Sequence, residues 1–126
     1  MIKAMVPAAL MAASISAPAF AQGTAAASGE QVFRTVCAAC HMQDAKGGAG
    51  AATIPALAAN AKLGTAAYPI TIVLMGKGAM PGFSDLLKPA QIAGAITYVR
   101  TNFGNSYAKP VTEADVQAIL ATRPHR

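Results

Sequence analysis

Residues 37–41 read Cys37-Ala38-Ala39-Cys40-His41 and hold the only two cysteines of the chain, with an imidazole directly behind the second. Three ordinary uses of paired thiols fit this stretch poorly. A disulfide between Cys37 and Cys40 closes a loop too short to add much stability. A closed zinc site needs four ligands, and beyond Cys37, Cys40 and His41 the chain offers only His125, next to its C-terminal residue. A thioredoxin-like redox pair follows a strand in a βαβ pattern, whereas the residues around this motif read as helix.

Covalent haem attachment accounts for all five positions. In a C-x-x-C-H run the two thiols add to the two vinyl groups, and the adjacent histidine is held under the iron as proximal ligand. Cys37, Cys40 and His41 are therefore the candidate attachment and ligand residues, and haem c, one group bound through two thioethers, is the expected cofactor. The N-terminus agrees with this chemistry. Residues 1–21, MIKAMVPAALMAASISAPAFA, combine a lone Lys3, an apolar run from Ala4 to about Ile15 and a closing Ala19-Phe20-Ala21. That is the pattern of a secretory signal cut after Ala21. The apolar run is shorter than the roughly 20 residues that span a bilayer, and Pro7 and Pro18 interrupt the segment. The mature chain is thus expected in the periplasm, without a membrane span, where bacteria attach haem c.

A sixth ligand decides what such an iron does: methionine or histidine opposite His41 means electron transfer, an open position means ligand binding. Met42 follows His41 directly and cannot reach the other face. Met75 closes an apolar segment and is read as core packing against the haem. Met80 stands in GKGAMPGF, where Gly76, Gly78 and Gly82 permit a tight backbone and Pro81 stiffens it, so it is the expected ligand.

With 126 residues the chain is one domain by length. Residues 22–27 are small and read as a flexible N-terminus, leaving 28–126 as the folded domain. Ser28 with Gln31 three residues on forms a capping-box pattern, and Val32, Phe33, Val36 and Cys37 share one helical face. The stretch 42–55 reads as a loop closed by Pro55. Residues 56–64 read as a short helix stopped at Gly64, and Thr65 to Leu74 as another stopped at Gly76, although Ile70, Thr71, Ile72 and Val73 also favour strand. Pro89 opens a helix with Ile92, Ala95, Ile96 and Val99 on its apolar stripe, running to Gly104. Thr112 and Asp115 cap a last helix. Without Lys3, nine lysines and arginines stand against five acids, a net charge of +4. Lys46, Lys62, Lys77, Lys88 and Lys109 are spread singly, which excludes a nucleic-acid patch and leaves a solvated surface or a docking face for an acidic partner.

These residues together resemble the class I c-type cytochromes over residues 28 to 104. The resemblance rests on Gly29, Phe33, Cys37, Cys40 and His41, on Pro55, on GAMPGF around Met80 and on AITYVR. It implies an all-α cytochrome c fold, helices and loops wrapped around one covalently bound haem. It further implies that Gly29 and Phe33 meet Ala95 and Tyr98 where two helices cross, and that the Pro55 carbonyl accepts a hydrogen bond from His41. No tryptophan is present to hold a haem propionate; Tyr68 or Asn60 is the substitute. The tail beyond Gly104 is similar to the ending of cytochrome subunits that serve periplasmic dehydrogenases. The function so implied is that of a one-electron carrier, not an enzyme. It accepts electrons from a periplasmic dehydrogenase and passes them towards a terminal oxidase or another cytochrome. An apolar wall from Ile54, Leu57, Leu63, Ile72, Leu74 and Phe83 would push the potential up. A gas sensor would need an open sixth position and a peroxidase a polar distal pocket, for which GAMPGF offers no acid or base.

Overall fold

The computed structural model describes residues 28–50 and 52–123. The leader, the stretch 22–27 and His125 lie outside them. Helix α1 runs through Gly29–Val32, a π-helical turn over Phe33–Cys37, and Ala38–His41. Ser28 Oγ accepts from the Gln31 amide at 3.2 Å and so satisfies one of the free donors of the first turn. In the widened turn the Ala38 amide reaches back five residues to Phe33 O, a distortion that sequence patterning did not indicate and that often marks functional sites. Beyond it, Cys37, Cys40 and His41 are three and four residues apart and share a face.

After α1 the chain does not run as a featureless loop. Gly48–Ala49 pairs antiparallel with Thr53–Ile54 in a small hairpin. The expected helix over 56–64 is reduced to the 3₁₀ turn Ala61–Gly64. Leu57 and Ala58 give their amides to Ala45 O, Ala59 takes a left-handed φ of 46°, and Asn60 Oδ1 starts the turn by accepting from the Lys62 amide at 3.0 Å. These bonds displace the helical ladder.

Helix α2 is Ala67–Met75. Its β-branched run Ile70 to Val73 stays helical because Pro69 in the first turn needs no donor there, and because Ile70 and Leu74 bury together one turn apart. Gly76 ends it at φ 75°. Helix α3 is Pro89–Thr101, ending three residues before Gly104, and it buries Ile92, Ala93, Ala95, Ile96, Val99 and Arg100. Helix α4 is Glu113–Ala121. Thr112 and Asp115 cap it reciprocally, and the bonds from Thr112 hold the Asp115 carboxyl below its usual range.

Two core layers result. Ile70, Leu74, Ile92, Ala93, Ile96, Val111 and Val116 join α2, α3 and α4. Phe33, Ala38, Ala45, Leu63 and Val99 tie α1 to α3, with rings of Phe33, Tyr98 and Phe103 meeting at centroid distances of 4.9 to 5.7 Å. Helices α1 and α3 cross backbone to backbone: the Cα of Gly29 would lie 3.3 Å from a Cβ on Gly94, and a Cβ on Gly29 would overlap the Gly94 carbonyl. The closest partner of Gly29 is therefore Gly94, with Ala95 beside it.

Candidate haem-binding site

The end of α1, the hairpin strand Thr53–Ile54 with Pro55, helix α2 and the turn after Gly76 enclose a mostly apolar cavity of about 560 Å³. That is within the roughly 300–1,000 Å³ of small-molecule and cofactor sites. Val36, Cys37, Cys40 and His41 line it from α1, Ile54 and Pro55 from the hairpin, Tyr68 and Ile72 from α2, and Met80, Pro81 and Phe83 from the turn. A second, smaller cavity of about 60 Å³ shares Val36, Cys37, Met80 and Phe83 with the first and continues inward to Leu63, Ile92, Ile96 and Val99.

Both thiols are unbonded. Burial pushes the Cys37 thiol above its usual range, while Cys40 is exposed. His41 is 7% exposed, and its Nδ1 lies 3.0 Å from Pro55 O. A carbonyl only accepts, so Nδ1 carries the proton and donates it, leaving the Nε2 lone pair free for a metal. The loop holds Pro55 in place. Gly47, at φ 65°, donates to His41 O at 3.0 Å, and a Cβ there would overlap Ile54 O and stand 2.8 Å from the Pro55 carbonyl.

Of the three methionines in the described residues, Met80 alone lines the cavities. Its turn is pinned. Lys77 and Met80 exchange amide–carbonyl bonds at 2.9 and 3.0 Å, the Phe83 amide bonds Val73 O at 2.8 Å, and a Cβ on Gly76 would stand 2.5 Å from Met80 O. Only glycine permits that approach with a positive φ. Met75 is 56% exposed and Met42 is 50% exposed. The expectation that Met75 packs in the core is thus corrected: it occupies the last position of α2, past the residues that face inward.

The apolar wall also differs from expectation. Ile54, Leu63, Ile72 and Phe83 line the cavities. Leu57 packs beside the aromatic cluster and Leu74 is sealed between helices, so neither does. Tyr68 lines the cavity, but Asn60 has its amide committed to Lys62 N and Ala56 O. Lys62 and Lys77 also line the cavity, with no ion-pair partner among the described residues. Their convergence was invisible in sequence because 15 residues and a helix separate them.

A family model described as cytochrome C oxidase, cbb3-type, subunit III matches residues 24–99. The chain belongs to this cytochrome c family. The cytochrome is 44% identical over 79 residues to cytochrome c6 of Leptolyngbya boryana, covering 59% of this chain and 88% of that protein. It is 32% identical over 112 residues to the cytochrome c subunit of the quinone alcohol dehydrogenase of Gluconacetobacter polyoxogenes, and equally to that of Komagataeibacter europaeus. Those alignments take in 79% of this chain and 24% of each subunit, so the chain spans about a quarter of their length. It is an electron-transfer protein and not by itself an enzyme, its fold is all-α, and its family implies haem c. The residues present fit that group: a slot that is mostly apolar, two free thiols and a lone imidazole nitrogen on one helix face, and a thioether on a pinned turn. Among the described residues, no helix is long and apolar enough to cross a membrane.

Proposed function

We propose that this cytochrome is a periplasmic one-electron carrier, exported by a leader cut after Ala21 and folded as a domain over residues 28–126. In this reading it accepts electrons from a periplasmic dehydrogenase and passes them towards a terminal oxidase or another cytochrome. One observation carries it: Cys37, Cys40 and His41 from α1, and Met80 from a separate rigid turn, line the same cavity. Haem c, when bound, supplies the one-electron ferric/ferrous couple.

Cys37 and Cys40 would hold the group by two thioethers. His41, with its Nδ1 proton given to Pro55 O, would offer Nε2 to the iron, and Met80 would offer its Sδ from the turn. Hydrogen bonding from Nδ1 raises the basicity of His41 and fixes the plane of its ring. Val36, Ile54, Ile72 and Phe83 exclude water from the slot. A dry surrounding disfavours the extra charge of the ferric state, and thioether ligation favours ferrous iron, so both place the potential on the positive side. Lys62, Lys77 and Tyr68 are the groups of the cavity lining suited to haem propionates. Similarity to dehydrogenase cytochrome subunits and to cytochrome c6 supports a redox partner protein as the binding class.

Optical spectra of the exported protein, produced with a haem-attachment system, test the ligand pair. Wild type is expected to be low-spin in both oxidation states with the weak near-infrared-edge absorption of an iron–thioether bond. Met80→Ala is expected to lose that band and bind carbon monoxide. A wild type that is high-spin or takes up carbon monoxide readily would sink the carrier reading and favour ligand sensing. Mass spectrometry of the same sample checks the leader: the polypeptide is expected to begin at Gln22.

A further inference from the structure

One strongly buried charge lies outside the cavity lining. Arg100, in the last turn of α3, is 4% exposed. Its Nε donates to Leu63 O at 2.8 Å, Nη1 to Lys109 O at 2.6 Å and Nη2 to Gly64 O at 3.3 Å, and its Cζ lies 5.7 Å from the centroid of the Tyr107 ring. A guanidinium does not lose its proton in a protein, so a full positive charge is buried there. Every acceptor is a neutral carbonyl. The five carboxylate side chains of the chain are placed elsewhere: Glu30 bonds Arg34, Asp44 faces Lys46, Asp85 accepts from Ser84, Glu113 from Gln117 and Asp115 from Thr112. Burying a cation without a carboxylate partner is costly. The carbonyl dipoles at the end of α3 offset only part of that cost.

Its position suggests what the charge does. Leu63, whose carbonyl it holds, and Val99, the residue before it, both line the inner cavity that shares Cys37 and Met80 with the haem-binding cavity. Arg100 is thus joined, through the Leu63 carbonyl and through its chain neighbour Val99, to two residues that line the inner cavity. We infer that Arg100 is a fixed internal charge that raises the reduction potential of the iron held by His41 and Met80, an inference that rests on the haem reading above. In the couple Fe³⁺ + e⁻ → Fe²⁺, removing the electron adds one positive charge to the site. A cation behind an apolar wall disfavours that state, and because it is buried, mobile salt screens it weakly.

Potentiometric titration of the haem-loaded protein tests this with Arg100→Gln and Arg100→Lys. The neutral variant is expected to shift the ferric-to-ferrous equilibrium towards ferric by about tenfold, which is ~59 mV for a one-electron couple. The lysine variant keeps the charge and is expected to stay close to wild type, although both variants lose bonds and melt earlier. Persistence of the shift at high ionic strength is the mark of a buried charge. A glutamine variant that loads haem and titrates at the wild-type potential overturns the inference, as does a lysine variant that shifts as far as the glutamine one. Should Arg100→Gln fail to fold, Tyr107→Glu sets a carboxylate beside the guanidinium while its three bonds remain. An unchanged potential in that variant overturns the inference too. Failure of the haem reading looks different, since wild type would then carry no covalent haem to titrate.

Discussion

Asn105 illustrates how single residues set this fold. It is 7% exposed; its Oδ1 accepts from the Asn60 amide at 2.9 Å, and its Nδ2 donates to Leu57 O and Val99 O at 2.8 and 2.9 Å. One side chain thereby joins the chain after Pro55 to the end of α3. Removing it takes a partner from the part-buried Asn60 amide and Leu57 carbonyl, while Val99 O keeps the Asn102 amide at 3.4 Å; a group left unpaired costs roughly 1–3 kcal/mol. Asn105→Ala is expected to lower stability by about 2 kcal/mol, read as a lower denaturant midpoint at unchanged slope. In sequence nothing marks this asparagine, which stands between the stop at Gly104 and the cap at Thr112, because its partners Leu57 and Asn60 are 48 and 45 residues away.

Among elements, the crossing of α1 and α3 governs the fold. A methyl on Gly29 overlaps the Gly94 carbonyl, so the two helices must separate and loosen the Phe33–Tyr98 contact, whose centroids are 5.7 Å apart. Alanine gains up to ~1 kcal/mol in helix propensity over glycine, but overpacking of this kind costs about 1–3 kcal/mol. Gly29→Ala is therefore expected to be net destabilising, measured as a fall in the melting temperature of the haem-loaded protein. A rise would mean that the helices do not approach as closely as described. Helix α2 makes a different point: its strand-favouring side chains are overridden by Pro69, which cannot sit in a sheet ladder, and by the α3 and α4 surfaces that receive Ile70 and Leu74.

At the scale of the molecule, charge matters more than any one pair. The mature chain is expected to be basic by four charges, and the two cations in the cavity lining, Lys62 and Lys77, flank a site that also exposes Tyr68. Electron transfer with an acidic redox partner is expected to slow several-fold between about 0.01 and 1 M salt, as the screening length falls from ~30 to ~3 Å. Stopped-flow rates against ionic strength measure it. A rate indifferent to salt would place docking on apolar contact instead.

The sequence by itself determined the C-x-x-C-H spacing and the caps at Ser28 and Thr112, because each of these is written in residues within five positions of one another, and periodicity over longer stretches gave the helical class. It also singled out Met80, since glycines around a proline restrict the backbone locally. Only the tertiary structure decided that Met75 faces outward, that residues 56–60 are not helical, that Gly94 is the partner of Gly29, and that Arg100 is buried without a carboxylate. Each of those depends on which distant backbone groups arrive beside the residue. Local pattern carries no record of such arrivals: a buried amide or guanidinium is specified by the carbonyls it meets, and these come from segments tens of residues away.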